Sequence, residues 1–255
     1  MRTPAGDSGT EFDETVPSGL TLCAVGSVLR SKLDTRSAAY RENLAQMRAL
    51  WDQVADLMAQ VPTIGGQRYV DRHHQRGKML ARERIEQLVD PDTPILELHA
   101  LAGWGSEFPI GVGTVNAIGV VRGVECAINA VDMTYRGGSM NPRTVDKTAR
   151  FQEIARQNRL PVINLNESAG ADLPHQADIF VRGGASFRNL TQMSKLGIPT
   201  ITVGFGPATA GGAYVPGMSD YTVFVKGRGT AYLGGPPLVK MAIDEIVDEE
   251  TLGGA

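Results

Sequence analysis

The apolar positions between Ser37 and Pro62 recur at three- and four-residue spacing. That spacing places them on one face of an α-helix, so the segment predicts an amphipathic helix that Pro62 and the following Gly65-Gly66 end. We interpret this helix as a packing element laid on the body of the protein. Its apolar positions are Tyr40, Leu44, Met47, Leu50, Trp51, Val54, Leu57 and Met58.

Residues 1–33 show no comparable period. They are polar and contain several glycines, and we interpret them as a loose N-terminal tail. Their one apolar stretch, near residues 20–29, is far shorter than the roughly 20 residues that span a bilayer. The organised part of the chain is therefore predicted to be a domain over residues 34–255.

Between Ile95 and Thr134 the apolar positions alternate every second residue, which predicts β-strands. Two such runs flank Arg122-Gly123 and predict a β-hairpin. Asn141 and Pro142 then predict the start of a helix. An asparagine side chain caps a first turn well, and proline fits the first helical position, where a missing N–H costs nothing. We expect Asn158 to end this helix.

The remainder of the chain alternates short apolar strands with helices. Strands are predicted at residues 162–165, 200–203 and 221–225, and a helix that Gly197 ends lies between the first two. Strands that alternate with helices favour right-handed βαβ crossovers. We therefore predict an α/β fold with an at least partly parallel sheet.

Two loops of small residues fall where strands end and helices begin, which is where α/β sheets bind ligands. They are Ser168-Ala169-Gly170-Ala171 and Ala210-Gly211-Gly212-Ala213. Without bulky side chains, two adjacent N–H groups can point at one oxygen. Aimed at a thioester carbonyl, they stabilise the negative charge that develops when the α-carbon loses a proton. The alternative is that the small residues only let helix and strand pack closely.

Composition and charge narrow the class of protein further. The 255 residues are 42% apolar and carry a formal net charge of -3, which gives no reason to expect nucleic acid or an acidic membrane as a partner. Two cysteines cannot form a disulfide framework. The acid-rich start argues against a signal peptide or a transit helix, so we expect a cytoplasmic protein.

Several motifs of familiar chemistry are absent from the sequence. There is no Gly-x-Ser-x-Gly elbow, no phosphate loop of the Gly-x-x-x-x-Gly-Lys type and no Gly-x-Gly-x-x-Gly after a strand. Neither a His-Glu-x-x-His nor a Cys-x-x-Cys pair is present, so we expect no bound metal. If the protein is an enzyme, backbone groups must carry much of its chemistry.

Five basic residues lie close together ahead of Asp90-Pro91. One interpretation is a solvated helix face with a few ion pairs. The other is a phosphate-contacting patch, because Arg and Lys supply several charge-assisted donors to one anion. The charge pattern leaves both open. The residues are Arg72, Arg76, Lys78, Arg82 and Arg84.

Four long stretches of the chain are similar to the signatures of one family, and they occur in that family's order. They read Arg-His-His-Gln-Arg-Gly-Lys-Met-Leu-Ala-Arg-Glu-Arg-Ile at 72–85, Asn-Glu-Ser-Ala-Gly-Ala-Asp-Leu-Pro at 166–174, Thr-Ala-Gly-Gly-Ala-Tyr-Val-Pro-Gly-Met-Ser-Asp at 209–220, and Leu-Gly-Gly-Pro-Pro-Leu-Val-Lys at 233–240. Over residues 37–255 the chain resembles the β subunit, or carboxyltransferase component, of biotin-dependent acyl-CoA carboxylases.

The resemblance implies a crotonase-type fold of repeated ββα units. It also implies transfer of a carboxyl group from carboxybiotin to the α-carbon of an acyl-CoA. In this family biotin is carried on a partner that works with biotin carboxylase, and a biotin nitrogen takes the α-proton. That would explain the lack of an obvious general base in the sequence.

The resemblance further assigns roles to individual residues. The family's thioester oxyanion hole matches the first loop, so the N–H groups of Ala169 and Gly170 are expected to hold the enolate oxygen, with Ser168 and Ala171 beside the substrate. Gly211 and Gly212 match a second loop that lines the site, where they allow close approach. We expect Lys78 and Arg82 to contact the phosphates of CoA.

Residues 172–176 resemble the methylcrotonyl-type branch, which favours a branched or unsaturated short acyl-CoA. The chain departs from the family after Lys240, and it stops at Ala255, where the family continues into a second homologous half. In the family that half binds biotin, and active sites form between protomers. The sequence is thus expected to supply only the CoA side of a site within a homo-oligomer.

Two other functions remain open on the sequence. One is a hydratase or isomerase of the same fold that uses Glu167 or Asp172 as its acid–base group. The other is a non-catalytic protein that binds CoA esters.

Overall fold

A computed structural model describes residues 31–255. The tail expected over residues 1–33 therefore lies almost entirely outside the described residues. The chain divides into two units, Met1–Ala49 and Leu50–Ala255, and the boundary falls within the first helix.

Helices and strands alternate through most of the described residues. The helices are α1 (Ala38–Gln60), α2 (Gln67–Gln75), α3 (Ala81–Leu88), α4 (Pro142–Asn158), α5 (Gln176–Lys195), α6 (Gly211–Met218), α7 (Pro236–Ile243) and α8 (Glu249–Gly253). The strands are β1 (Leu96–Leu98), β2 (Thr114–Val121), β3 (Val124–Val131), β4 (Val162–Ser168), β5 (Thr200–Thr209), β6 (Tyr221–Phe224) and β7 (Thr230–Tyr232). Over residues 31–255, every helix is too short or too polar to cross a membrane.

The helix predicted after Ser37 is α1. The Ser37 hydroxyl accepts a hydrogen bond from the Tyr40 N–H at 3.1 Å and caps the first turn. The helix ends just before Pro62, as expected. Its predicted packing role is not borne out, since no residue of α1 is buried and Trp51 exposes 68% of its surface. The apolar period thus predicted the helix correctly and its burial wrongly.

The seven strands form one sheet in the order β1-β2-β3-β4-β5-β6, and β7 also pairs with β5. Strands β1 to β3 are antiparallel, whereas β3, β4, β5 and the two partners of β5 on its other side are parallel. This arrangement confirms the partly parallel sheet. Because β4 and β5 are parallel neighbours, the loops that follow them lie at the same edge.

The β2–β3 hairpin turns at Arg122 and Gly123, as predicted. Both residues have positive φ, 52° and 78°, which suits a two-residue hairpin turn. The Asp90 carboxylate accepts hydrogen bonds from both N–H groups at 2.8 and 2.7 Å. These bonds hold the pKa of Asp90 below its ordinary value. The turn is therefore anchored to the segment that follows α3.

Helix α4 begins as its sequence predicts. The Asn141 side-chain oxygen accepts hydrogen bonds from the N–H groups of Arg143 and Thr144 at 2.9 and 3.0 Å, and Pro142 occupies the first helical position. The helix ends at Asn158, and Arg159 follows in the left-handed conformation. The cap marks the end of the β3–α4 connection, which contains the turn at residues 136–138.

Apolar side chains cover both faces of the sheet. Burial of such side chains contributes roughly 1.5–3 kcal/mol each. The α3 face has a cluster that includes Ile85, Ile128 and Leu165. The opposite face packs against α4 and α5 through Phe151, Leu190, Met193 and Val162.

Candidate functional site

The two small-residue loops of the sequence meet at one edge of the sheet. A Cβ built on Gly212 would lie 3.2 Å from the Ser168 side chain, and one built on Gly170 would lie 3.7 Å from the Ala210 Cβ. The absence of side chains at both glycines therefore permits this contact. The two segments are therefore neighbours, each at the end of a strand as predicted, although Gly211 and Gly212 belong to the first turn of α6 rather than to a loop.

The two N–H groups predicted as oxyanion donors are already engaged. The Ala169 N–H donates to the carbonyl of Gly137 at 3.1 Å, and the Gly170 N–H donates to Oγ of Ser168 at 3.1 Å. The expectation of two free donors at this loop is thus wrong for the structure. The physical reason is that buried N–H groups find acceptors, and the 136–138 turn lies close enough to supply one.

Ser168 organises the loop rather than facing a ligand. Its side chain is 3% exposed, and its hydroxyl donates to the Gly138 carbonyl at 3.0 Å while accepting from Gly170. Ala171 pairs with Met140 in an isolated parallel bridge. The structure therefore gives Ser168 a structural place, whereas the sequence predicted contact with substrate.

The first turn of α6 offers the donors that the first loop does not. The N–H groups of Gly211 and Gly212 donate to no acceptor among residues 31–255, and no side chain caps this helix. Ala210 precedes them at φ 51° and ψ −118°, and its own N–H bonds the Tyr232 carbonyl at 3.0 Å. Two adjacent N–H groups at a helix start can bind one anionic oxygen, and the helix dipole assists.

A basic cleft of about 510 Å³ is lined in part by Arg136 and Gly137, in the turn to which the first loop is hydrogen-bonded. It connects to the loop through Gly137, which lines the cleft and accepts the Ala169 N–H bond. Its charged and aromatic lining side chains are Tyr69, Arg72, His73, Arg76, Lys78, Tyr135 and Arg136. The α2 segment and the turn after β3 thus place several cations around one cavity.

Lys78 and Arg82, both predicted to contact phosphate, have carboxylate partners. Lys78 lines the cleft and forms an ion pair with Glu167. Arg82 does not line the cleft and binds Glu97 on β1 through two hydrogen bonds of 2.7 and 3.0 Å. The prediction that Arg82 contacts CoA phosphate is therefore wrong for the structure, because a bidentate ion pair holds its guanidinium against the Glu97 carboxylate.

Glu167 lies inside the protein and accepts from two cations. Its side chain is completely buried, and Arg84 Nη2 donates to Oε2 at 2.7 Å, while Lys78 bonds Oε1. Burial would raise the pKa of Glu167, but the hydrogen bonds from Lys78 and Arg84 outweigh it and hold the pKa below its ordinary value. A carboxylate so occupied is not suited to exchange protons with a substrate.

A second polar network flanks the first loop. Asp172 accepts from Arg136 Nη1 at 2.7 Å, and His175 Nδ1 lies 3.1 Å from the same oxygen. Arg136 was not predicted from the sequence. A signal for it was its position directly before Gly137-Gly138, a pair that fits a tight turn.

Two side chains that line the cleft, His73 and Tyr135, have pKa values shifted toward their neutral forms. Burial lowers the pKa of His73, whose Nε2 lies 3.1 Å from the Met79 carbonyl. Burial likewise raises the pKa of Tyr135. Within residues 31–255, no three His, Cys, Asp or Glu side chains are grouped to hold a metal ion.

Comparison with known proteins identifies the family. The profile described as "Carboxyl transferase domain" matches residues 72–255. A probable biotin-dependent acyl-coenzyme A carboxylase beta2 subunit of Mycobacterium tuberculosis is 55% identical over 228 residues, 89% of this chain and 43% of that protein. A probable mitochondrial methylcrotonoyl-CoA carboxylase beta chain of Drosophila melanogaster is 49% identical over 246 residues, 93% of this chain and 43% of that protein.

A solved structure agrees with these matches. The β subunit of P. aeruginosa geranyl-CoA carboxylase superposes with a TM-score of 0.71 at 39% identity, covering 90% of this chain and 43% of that one. This chain therefore spans less than half the length of these three relatives. The resemblance stated from the sequence and the crotonase-like α/β fold class are confirmed, and the chain belongs to the carboxyl transferase domain family.

Proposed function

We propose that this chain forms the acyl-CoA side of the carboxyltransferase subunit of a biotin-dependent acyl-CoA carboxylase. The observation that carries the proposal is the meeting of the two loops. The N–H groups of Gly211 and Gly212, which have no acceptor among residues 31–255, lie in the turn next to Ser168, and the basic cleft begins one hydrogen bond away at Gly137. A thioester needs both features, namely donors for its carbonyl oxygen and cations for its nucleotide tail.

The donors act when the α-carbon loses its proton. Negative charge then moves onto the thioester oxygen, and fixed N–H groups stabilise that charge more than they stabilise the ground state. Within the described part of the chain, no acceptor competes for the N–H groups of Gly211 and Gly212. For Ala169 to contribute as first predicted, the oxygen has to replace the Gly137 carbonyl as the acceptor of its N–H.

The cleft side chains would bind the CoA moiety. Arg72 and Arg76 line the cleft and have no carboxylate within ion-pair distance among the described residues, so their charges remain available for phosphates. Tyr69 and Tyr135 line the same cavity and offer aromatic faces to the adenine. These residues replace Arg82 in the assignment, while Lys78 is paired with Glu167.

The acyl group is proposed to be short and branched or unsaturated. The 172–176 segment resembles the methylcrotonyl branch, and one relative is named a methylcrotonoyl-CoA carboxylase beta chain. Biotin, carried on a partner that works with biotin carboxylase, would supply the carboxyl group. The described residues to which we assign roles hold only the acyl-CoA.

Reconstitution tests the proposal. The purified chain is titrated with methylcrotonyl-CoA in a calorimeter. It is then mixed with biotin carboxylase and biotin carrier, with and without a chain that supplies the remaining portion of a relative such as the Mycobacterium tuberculosis β subunit. We expect the ester to bind, and carboxylated product to form only when the remaining portion is added. Sedimentation of the same samples reports whether the chain is a homo-oligomer.

Two results would contradict the proposal. Binding without product in every reconstitution would favour a non-catalytic CoA-ester-binding protein. Hydration of crotonyl-CoA that disappears in Glu167→Gln would favour a hydratase. The two ion-pair partners of buried Glu167 argue against that second outcome.

A further inference from the structure

Glu167 forms an ion cluster with Lys78 and Arg84 at the end of β4, directly before the first loop. It is the second-last residue of β4, and Ser168, Ala169 and Gly170 follow it without a break. Its side chain is completely buried, and that of Arg84 is 3% exposed. Among residues 31–255, Glu167 is the only carboxylate within ion-pair distance of either Lys78 or Arg84.

The surroundings are shaped for this carboxylate. A Cβ added to Gly206 on β5 would overlap Oε1 of Glu167 and lie 2.7 Å from its Cδ, so glycine leaves the space that the carboxylate fills. The Arg84 guanidinium lies 4.4 Å from the centre of the Phe205 ring, a cation–π contact from the neighbouring residue. Two consecutive residues of β5 thus accommodate the two buried ions.

Burying this ion cluster costs free energy, which suggests a role other than stability. Taking charges out of water costs several kcal/mol per ion, and a buried ion pair is often no more stable than an apolar replacement. Here Nε and Nη1 of Arg84 have no hydrogen-bond partner among the described residues, which adds to that cost. Two cations facing one carboxylate leave a formal charge of +1 at the end of β4, directly before the first loop.

We propose that Glu167 is a positioning residue that Lys78 and Arg84 clamp in place, so that the end of β4 holds the 168–170 loop in register with the first turn of α6. Lys78 then belongs to this clamp and not to the phosphate contacts. Only the identity of the ligand in this inference rests on the proposed function. The clamp itself is a property of the folded chain.

The test combines amide hydrogen exchange with ligand binding. Glu167→Gln keeps the shape of the side chain and removes its charge, and Lys78→Met removes one of its partners. Peptides that cover residues 166–172 are expected to exchange roughly ten- to a hundredfold faster in both variants, as loss of a charge-assisted hydrogen bond implies. Peptides from α5 should exchange at the wild-type rate in both variants. Lys78→Arg, which keeps the positive charge, should keep exchange at 166–172 slow.

Arg76→Gln is the matched control, because Arg76 lines the same cleft without a carboxylate partner in the described residues. It should leave exchange at 166–172 unchanged and reduce the salt dependence of methylcrotonyl-CoA binding. Lys78→Met should speed exchange at 166–172 and leave the salt dependence of methylcrotonyl-CoA binding unchanged. If Glu167→Gln does not fold, Lys78→Met decides, since it leaves the Arg84–Glu167 pair in place.

The inference is overturned if Lys78→Met leaves exchange at 166–172 at the wild-type rate, or if it reduces the salt dependence of binding as much as Arg76→Gln does. A wild-type chain that binds no CoA ester would instead contradict the proposed function. The exchange measurement would still decide the clamp, so the two failures are distinguishable.

Discussion

The backbone N–H of Ala169 donates to the carbonyl of Gly137 at 3.1 Å, which closes the first loop onto the turn that follows β3. The turn is itself unusual, because Arg136, Gly137 and Gly138 all have positive φ, at 46°, 64° and 69°. A non-glycine residue in this region costs about 1–2 kcal/mol. The acceptor of the Ala169 N–H therefore belongs to a turn in which Arg136 carries this cost, while Gly137 and Gly138 adopt positive φ without it.

Gly137→Ala tests this relationship. Its φ of 64° disfavours a side chain, while the new Cβ would lie 3.7 Å from the Ala169 Cβ, an ordinary contact. Gly227→Ala is the control, with φ 70° and open space around the new Cβ. Both variants should lower the free energy of unfolding by about 1 kcal/mol in urea. Only Gly137→Ala should change hydrogen exchange at Ala169, and equal exchange in the two would contradict the prediction.

Gly206→Ala should disturb the Glu167 clamp by overpacking. The new Cβ would overlap Oε1 of Glu167, and overpacking of a core typically costs 1–3 kcal/mol. Gly184→Ala lies within α5 with nothing within 4 Å of its new Cβ, and it should gain roughly 0.5–1 kcal/mol. Urea unfolding of the two variants measures both changes. A neutral Gly206→Ala would show that Glu167 can move without cost.

Gly212→Ala should separate α6 from the first loop. Its Cβ would lie 3.2 Å from Cβ and Oγ of Ser168, so one side has to yield by a few tenths of an ångström. Acyl-CoA affinity should fall, by roughly tenfold if about 1.4 kcal/mol of binding energy is lost. Gly217→Ala, in the same helix with open space at its Cβ, should bind as the wild type does. Calorimetry on both variants makes the comparison.

Arg72→Gln should weaken acyl-CoA binding through the lost phosphate contact. An exposed charge pair is worth about 0.2–1 kcal/mol, so we expect up to about a fivefold change in Kd at low salt. The difference should shrink as salt screens the interaction. Arg188→Gln on α5, which does not line the cleft, is the control. An unchanged Kd in Arg72→Gln would remove this residue from the CoA site.

Lys147 should make stability depend on pH above neutrality. Burial lowers its pKa to about 8, and its Nζ donates to the carbonyls of Thr114 and Gly111 at 2.6 and 3.3 Å. The unfolded chain, with a lysine pKa near 10.4, binds the proton more tightly. Between about pH 8 and 10 the unfolded state thus holds more protons, and the free energy of unfolding rises with pH, by at most about 3 kcal/mol.

Comparison with Lys147→Met isolates this effect. Urea unfolding of both proteins at pH 7.5, 8.5 and 9.5 cancels the contributions of all groups that the two proteins share. The wild type should gain stability relative to Lys147→Met as the pH rises. A difference that stays constant over this range would mean that Lys147 keeps its ordinary pKa in the fold.

Local features of the fold could be predicted from the sequence because their causes are local. The turn at Arg122-Gly123 and the Asn141 cap each depend on residues within three positions of one another. The position of each small-residue loop at the end of a strand could also be predicted. That the two loops meet depends on the parallel pairing of β4 with β5, which the sequence pattern does not state. The exposed face of α1 did not follow, because a helical period states which residues share a face and nothing about what covers it.

The sequence shows which donors and cations the site could contain, but it does not show which acceptors and carboxylates they bind. Arg82 and Lys78 were visible as charges, yet their carboxylates, Glu97 and Glu167, lie 15 and 89 residues away along the chain. The same is true of Ala169, whose acceptor belongs to a turn between β3 and α4. Tertiary contacts decide which N–H groups have no acceptor. The sequence therefore predicted only a close-approach role for Gly211 and Gly212, and not a role as donors.

The Glu167 clamp also has a consequence for how the chain folds. Its two ion pairs join residues 83 and 89 positions apart, so the loop between them must close before either pair can form. During synthesis, Lys78 and Arg84 leave the ribosome well before their counter-ion does. Helix α3 can pack against β2 and β3 as soon as they exist, but the charges of Lys78 and Arg84 stay without their counter-ion until β4 has been made.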